Sequence, residues 1–176
     1  MPDRPTLAET ERAVRTRVGG LPLDMQAADA LSSLYRAANA VRNHLTQSVL
    51  RPHDLTWTGF VVLWVVWVWD GQETRQVAES VGISKATLTG VVKTLEARGW
   101  VARAVDPADR RRVRLSLTAA GADLMEQLYP EFNAEETRVV AALSPHRLRT
   151  MTGALRSLVL ALEQDGADLD ARAGGA

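Results

Sequence analysis

The spacing of apolar residues along the chain predicts a mainly helical protein with one short β-hairpin. Between Pro22 and Pro52 apolar residues recur every three or four positions, which predicts one long amphipathic helix over residues 23–50. A helix of about 25 residues is ~40 Å long, so we expect it to pack on something beyond its own chain. Similar spacing predicts helices after Thr118 and after Ser144-Pro145, the former interrupted or kinked by a later proline, Pro130.

A run of valines and tryptophans over residues 56–70 is harder to assign, because these residue types favour strands. Its length, a threonine cap at Thr56 or Thr58, and the stop at Asp70-Gly71 favour a helix. Its uninterrupted apolar part, Phe60–Trp69, has ten residues, whereas a membrane span needs about 20. We therefore predict a buried central helix, without contact to a membrane.

Residues 72–118 contain the pattern on which the functional prediction depends. Thr74 can cap a short helix, Gly82 permits a tight turn, Ser84 can cap a second helix, and Gly99 can end it. The outward face of the second helix carries only small or polar side chains.

The next two segments, Trp100–Val105 and Arg112–Leu117, alternate apolar and polar residues with the period of two expected of strands. The six residues between them form an arginine-rich turn. Helix, turn, helix and basic hairpin follow one another in the order of a winged helix-turn-helix. In that arrangement the second helix enters the DNA major groove and its first residues reach base edges.

Both ends of the chain differ from this pattern. Residues 6–18 predict a short helix capped by Thr6, with so few apolar residues that it is either a loosely held arm or part of an oligomer interface. Residues 1–20 are therefore assigned to an N-terminal arm. The small, acidic residues 166–176 predict a disordered tail. The polar N-terminus does not resemble a signal peptide, so a cytoplasmic protein is expected.

Charge distribution supports a DNA-facing surface, although the formal net charge of the chain is zero. Residues 85–114 contain eight basic and three acidic residues, so this stretch alone carries a charge of +5. The chain has no cysteine, which excludes disulfides and thiolate metal sites. Its three histidines do not have metal-binding spacing. No metal or other cofactor is predicted.

The types of residue on the second helix suit contact with DNA. Lys85 can bond guanine acceptors, and the methyl groups of Thr87 and Thr89 can pack on thymine. Ser84 and Lys93 are suited to phosphate contacts, which position the protein without reading sequence. The arginine turn would straddle the backbone and place one arginine in the minor groove, where A·T tracts concentrate negative potential.

Over roughly residues 24–165 the chain resembles the MarR family of bacterial transcriptional regulators. The resemblance rests on the wing Asp106–Arg111, the motif Leu117-Thr118-x-x-Gly121, the helix start Ser84–Thr89 and the exit Leu95–Trp100. It implies an α+β fold, mainly α, in which a winged helix-turn-helix DNA-binding lobe joins a helical dimerisation domain built from the N- and C-terminal helices. The lobe corresponds to residues 56–118 and the dimerisation region to residues 23–55 and 119–165.

The resemblance also implies that Asp109 braces Arg111 as this arginine enters the minor groove. Together with the residues above, the predicted DNA-binding residues are Ser84, Lys85, Thr87, Thr89, Lys93, Arg103, Asp109, Arg110, Arg111 and Arg112.

As a member of such a family the chain would be a sequence-specific, ligand-responsive repressor that binds a pseudo-palindromic operator in double-stranded DNA as a homodimer. Half-sites would lie about 10 bp apart. A small phenolic or anionic effector would bind between the dimer helices and the DNA-reading lobe. Polar and aromatic side chains on the elements that border this cleft are the candidates for binding it: Tyr35, His44, Trp57, Trp64 and Asp70.

Two other classes of protein fit the sequence less well. The sequence Gly82-Ile83-Ser84-Lys85-Ala86 comes near the Gly-x-Ser-x-Gly nucleophile motif of hydrolases, but its fifth residue is alanine and a helix precedes it where the motif needs a strand. An enzyme is therefore not expected. The alternative is a winged helix that serves as a protein–protein interaction module without sequence-specific DNA binding, and the basic wing argues against it.

Overall fold

The computed structural model of the chain describes residues 5–106, 109 and 112–173, with side chains of the last helix described as far as residue 166. The chain divides into two compact units, Met1–Trp57 and Thr58–Ala176. Within the described residues, no helix is long and apolar enough to cross a membrane.

The first unit is helical. Helix α1 spans Leu7–Val18 and helix α2 spans Met25–Leu45. A π-helical turn, Thr46–Leu50, and a 3-10 turn, Arg51–His53, continue α2. The predicted helical segment over residues 23–50 is confirmed, but its last turns are not α-helical. Pro52 has no N–H to give to the preceding turn and its ring crowds that turn, so the helix widens before it ends.

Helix α1 is fixed at its start by a capping box. The Thr6 side chain accepts from the Glu9 amide at 3.2 Å, and the Glu9 carboxylate accepts from the Thr6 amide at 2.7 Å. These hydrogen bonds from Thr6 lower the pKa of the Glu9 carboxyl below its ordinary value. An ion pair between Arg15 and Asp29, at 2.6 Å, joins α1 to α2. No residue of α1 is buried, as its few apolar residues predict.

The second unit contains five helices and a small antiparallel sheet among the described residues. The helices are α3 Trp57–Val68, which starts at the boundary, α4 Thr74–Val81, α5 Lys85–Ala97, α6 Ala119–Val140 and α7 Pro145–Ala173. The strands are β1 Gln72–Glu73, β2 Val101–Val105 and β3 Val113–Leu117, in the order β1-β3-β2. The predicted hairpin is confirmed, with Val101 opposite Leu117 and Val105 opposite Val113. Strand β1 was not predicted, because two residues show no periodicity.

Helix α3 is the centre of the core, as its apolar composition predicts. Val62, Leu63 and Val66 are fully buried. The ring of Phe60 stacks on that of Phe132 in α6 with centroids 4.3 Å apart. The run of valines and tryptophans is therefore a helix with a buried face, although Val68 at its end and Trp69 after it are 46% and 49% exposed.

Helix α6 passes through Pro130 without interruption, so the predicted interruption is wrong, and the alternative, a kink, stays a prediction. Proline leaves one carbonyl, that of Glu126, without its intrahelical donor. Both Pro130 and Glu126 are exposed, so water can bond this carbonyl. The flanking side chains of Leu128 and Phe132 are buried and hold the two halves in register.

Two other boundaries also differ from the predictions. Helix α4 begins one residue early, with Glu73 rather than Thr74 as its cap, because Gln76 completes a capping box with Glu73. Helix α7 continues to Ala173, so a helix replaces the predicted disordered tail as far as the chain is described. Gly166 costs only about 1 kcal/mol within a helix, and the alanines and leucine that follow it are strong helix formers.

The base of the hairpin is closed by contacts between the end of α5 and the start of α6. The carbonyl oxygen of Trp100 accepts from the Thr118 amide at 3.0 Å, and the Thr118 hydroxyl donates to the carbonyl of Gly99. Thr118 also caps α6 by accepting from the Gly121 amide at 3.1 Å. A Cβ atom at residue 121 would overlap the Trp100 carbonyl oxygen and lie 2.9 Å from its carbon. Only glycine fits there.

We predict that Gly121→Ala destabilises the protein by about 1–3 kcal/mol, because backbone must move to relieve the overlap. Gly90→Ala is the matched control, since a Cβ at this position in α5 meets no atom within 4 Å. Its free energy of unfolding should rise by about 1 kcal/mol, because alanine has a higher helix propensity than glycine. Chemical denaturation of both variants measures the difference. Equal stabilities would show that α6 does not approach Trp100 this closely.

Candidate nucleic-acid interface

The two helices of the helix-turn-helix are held by a turn whose geometry follows from its sequence. Gly82 has a φ of 71°, the left-handed conformation that glycine adopts without strain. The Ile83 amide then donates to the Ala78 carbonyl at 3.0 Å. Ser84 caps α5 by accepting from the Thr87 amide at 3.1 Å, as predicted.

One face of α5 is buried and the other is exposed. Leu88, Val92 and Leu95 are at most 2% exposed and fix the helix to the core. The exposed face carries the predicted DNA-binding residues of this helix: Lys85, Thr87, Thr89 and Lys93.

The hydroxyls on this face make local bonds in the free protein. Thr87 shares a hydrogen bond of 2.9 Å with the Ser84 hydroxyl, and Thr89 donates to the Lys85 carbonyl at 2.8 Å. In the free protein the Ser84 hydroxyl therefore caps α5. Both threonines are exposed.

The arginines of the hairpin that the structure describes are paired with acids or a carbonyl. Arg112 lies 3.4 Å from Glu73 at the start of α4 and 3.7 Å from Asp109. Arg114 donates to the Gly71 carbonyl at 3.1 Å and lies 3.9 Å from Asp106. The contacts with Glu73 and Gly71 tie the hairpin to the start of the helix-turn-helix, a role that the sequence did not indicate.

Arg103, on β2, pairs with Glu96 in the last turn of α5 at 2.9 Å. Two of the predicted wing residues, Arg110 and Arg111, lie outside the described residues. The brace between Asp109 and Arg111 therefore stays a prediction.

A cavity of about 200 Å³ lies between α5 and the hairpin. Lys85 and Arg103 supply positive charge to its wall, and threonine and apolar side chains form the remainder. Its lining residues are Thr74, Lys85, Leu88, Thr89, Val92, Arg103 and Val113. Sequence reasoning missed the cavity, because its walls come from segments up to 39 residues apart.

The predicted effector residues belong to different units. Tyr35 is 67% exposed, His44 is exposed and Trp57 is half-buried in the first unit. In the second unit, Trp64 is half-buried and packs edge-on against Trp69 at 5.8 Å, and Asp70 is exposed. A cleft formed by both units stays a prediction.

Comparison with known proteins places this arrangement in a family. The family model described as MarR family matches residues 55–113. The chain is 39% identical to an uncharacterised HTH-type transcriptional regulator, YwaE of Bacillus subtilis, over 136 residues that cover 77% of this chain and 80% of the relative.

Solved structures of other regulators are also similar to this chain. One describes regulation of DNA binding of Bordetella bronchiseptica BpsR by 6-hydroxynicotinic acid, with 30% identity, a TM-score of 0.67, and coverage of 74% of this chain and 98% of that one. A DNA complex of Staphylococcus aureus MepR, at 24% identity, shares the fold with a TM-score of 0.66 and coverage of 75% and 97%. The chain belongs to the MarR family of transcriptional regulators, and its residues 72–118 are a winged helix-turn-helix.

Proposed function

We propose that this protein is a transcriptional regulator that binds a pseudo-palindromic operator as a homodimer and is released by a small effector. The observation that supports this best is the exposed face of α5, which begins at the Ser84 cap and carries no bulky apolar side chain. A helix of this kind can enter the major groove with its N-terminal residues toward the bases.

The DNA contacts proposed for the residues of α5 follow from the chemistry of their side chains. Lys85 is exposed at the first position of the helix, where it can reach guanine acceptors. Thr87 and Thr89 use their hydroxyls locally, so we propose that their methyl groups discriminate thymine. Lys93, two turns further along, is suited to a phosphate.

In the wing, we propose that the arginines act on the backbone and minor groove. The pairing of Arg112 with Glu73 and Asp109 limits its movement, which reduces the entropy lost when DNA binds. Arg111 remains the proposed minor-groove residue on the strength of the family resemblance.

Dimerisation is supported by the family, whose members bind DNA as dimers, and by exposed apolar side chains. In the first unit Leu31 and Tyr35 are 45% and 67% exposed on α2. In the second unit α7 exposes Leu158, Val159, Leu160 and Leu162, at 46 to 70%. We propose that residues 23–55 and 119–165 form the dimerisation region, with residues 1–20 as an added arm and 56–118 as the DNA-binding region.

A phenolic or anionic effector is supported by the similarity to BpsR, whose DNA binding is regulated by an aromatic carboxylic acid. The residues proposed to bind it remain Tyr35, His44, Trp57, Trp64 and Asp70. The cavity beside α5 is a second candidate site, because Lys85 and Arg103 can attract an anion there. An effector acts as an inducer only if it binds the DNA-incompetent state more tightly.

Selection from a random duplex pool tests DNA binding without knowledge of the operator. We expect the protein to enrich a sequence with inverted-repeat symmetry. Affinity for the selected duplex should fall about a thousandfold between 50 and 200 mM salt, as expected when about six phosphates are neutralised. A scrambled duplex is the control. Failure to enrich any sequence, with no measurable affinity at low salt, would favour the protein-binding alternative.

Gly90→Ala tests how closely DNA approaches the recognition helix α5. In the free protein a Cβ at residue 90 meets no atom within 4 Å, so the variant should be about 1 kcal/mol more stable. If DNA backbone packs against this position, the variant binds the selected duplex more weakly although it melts higher. Unchanged affinity would show that the glycine is not needed for approach to DNA.

A further inference from the structure

An ion pair connects the recognition helix to the hairpin. The Glu96 carboxylate, in the last turn of α5, lies 2.9 Å from the Arg103 guanidinium on β2. About a third of each side chain is exposed, 32% for Glu96 and 34% for Arg103. The short turn at Gly99-Trp100 joins the two elements in sequence, and the contacts of Arg112 and Arg114 hold the hairpin near α4. The pair of Glu96 with Arg103 joins the hairpin directly to α5.

Arg103, on β2, faces a particular part of α5. Lys85, Thr89, Val92 and Glu96 are spaced four, three and four residues apart, so they follow one line along α5, at the border between its buried and exposed faces. The first three of them line the same cavity as Arg103, which shows that Arg103 faces this side of the helix. The contact with Glu96 holds Arg103 toward the C-terminal end of α5.

Arg103 differs from the other described arginines of the hairpin. Its side chain is 34% exposed, compared with 56% for Arg112 and 49% for Arg114. The sequence alone predicts that Arg103 contacts DNA. Its lower exposure and short ion pair indicate a different role.

We propose that Glu96 and Arg103 are positioning residues, which fix the angle of the hairpin relative to α5 and therefore the distance between the major-groove helix and the wing. The inference rests on the proposed DNA binding. An ion pair this exposed contributes little to folding stability. DNA must engage the helix and the wing together, so a hairpin that samples other angles binds more weakly.

In a dimer the loss of binding free energy counts twice. Each operator complex contains two such pairs, so a loss of about threefold at each lobe becomes a loss of about tenfold overall. Glu96→Gln removes a negative charge near DNA, which by simple electrostatics should raise affinity. Positioning predicts the opposite sign, and this makes the variant a sharp test.

The experiment measures binding to the duplex that the wild-type protein selects, over a range of salt concentrations. We expect Glu96→Gln and Arg103→Gln each to weaken binding about tenfold with an unchanged salt slope, because no phosphate contact is lost. The exchanged pair, Glu96→Arg with Arg103→Glu, should recover binding to within about threefold of wild type. Melting temperatures of all variants should stay close to wild type.

Arg103→Lys is a second, milder variant that keeps the charge but loses the forked guanidinium. We expect an intermediate loss with an unchanged salt slope. If instead Arg103→Gln lowers the salt slope by about 0.9 for each arginine removed, and Glu96→Gln binds as tightly as wild type or more tightly, Arg103 is a phosphate contact and the proposal is wrong. An exchanged pair that does not recover binding also overturns it. A wild-type protein that selects no duplex overturns the proposed function itself.

Discussion

The carbonyl oxygen of Trp100 is the point on which the geometry of the DNA-reading lobe depends. It accepts the amide of Thr118 and lies against Gly121, so the chain leaves α5 and enters α6 at the same place. Gly99, with a φ of 72°, turns the chain out of α5 just before this contact. Strand β2 begins and strand β3 ends at this closed base, and this fixes their register, with Val101 opposite Leu117. The recognition helix and the wing therefore leave the core as one structure.

Electrostatic pairs then fix the hairpin beyond its base. Glu73 caps α4 and also holds Arg112, so the start of the helix-turn-helix and the wing share one carboxylate. The net charge of +5 carried by residues 85–114 is thus partly neutralised by Glu73, which lies outside that stretch. Such exposed pairs add little to folding stability. Their contribution is to orientation.

Sequence predicts the parts of this fold whose causes are local. The cap at Ser84, the turn at Gly82 and the apolar stripe of α5 are visible within a few residues of one another, and the structure confirms them. Strand β1 cannot be predicted from the sequence, because its two residues become a strand only through pairing with Leu115 and Arg114 about 40 positions later. Pro130 misleads for a similar reason, since tertiary packing of Leu128 and Phe132 overrides a local signal. The pairing of Glu96 with Arg103, like the cavity beside it, exists only once helix and hairpin meet. The contacts of the proposed site with DNA follow from residue type and family resemblance, and they stay predictions.

Hydroxyl-radical footprinting of the wild-type protein on its selected duplex tests the central claim most directly, namely that two copies of one rigid helix-and-wing lobe read DNA together. The account predicts a two-fold symmetric pattern, with two protected segments centred about 10 bp apart and protection of the minor groove flanking each. A single asymmetric protected segment, or protection of the major-groove segments without the flanking minor grooves, would contradict it.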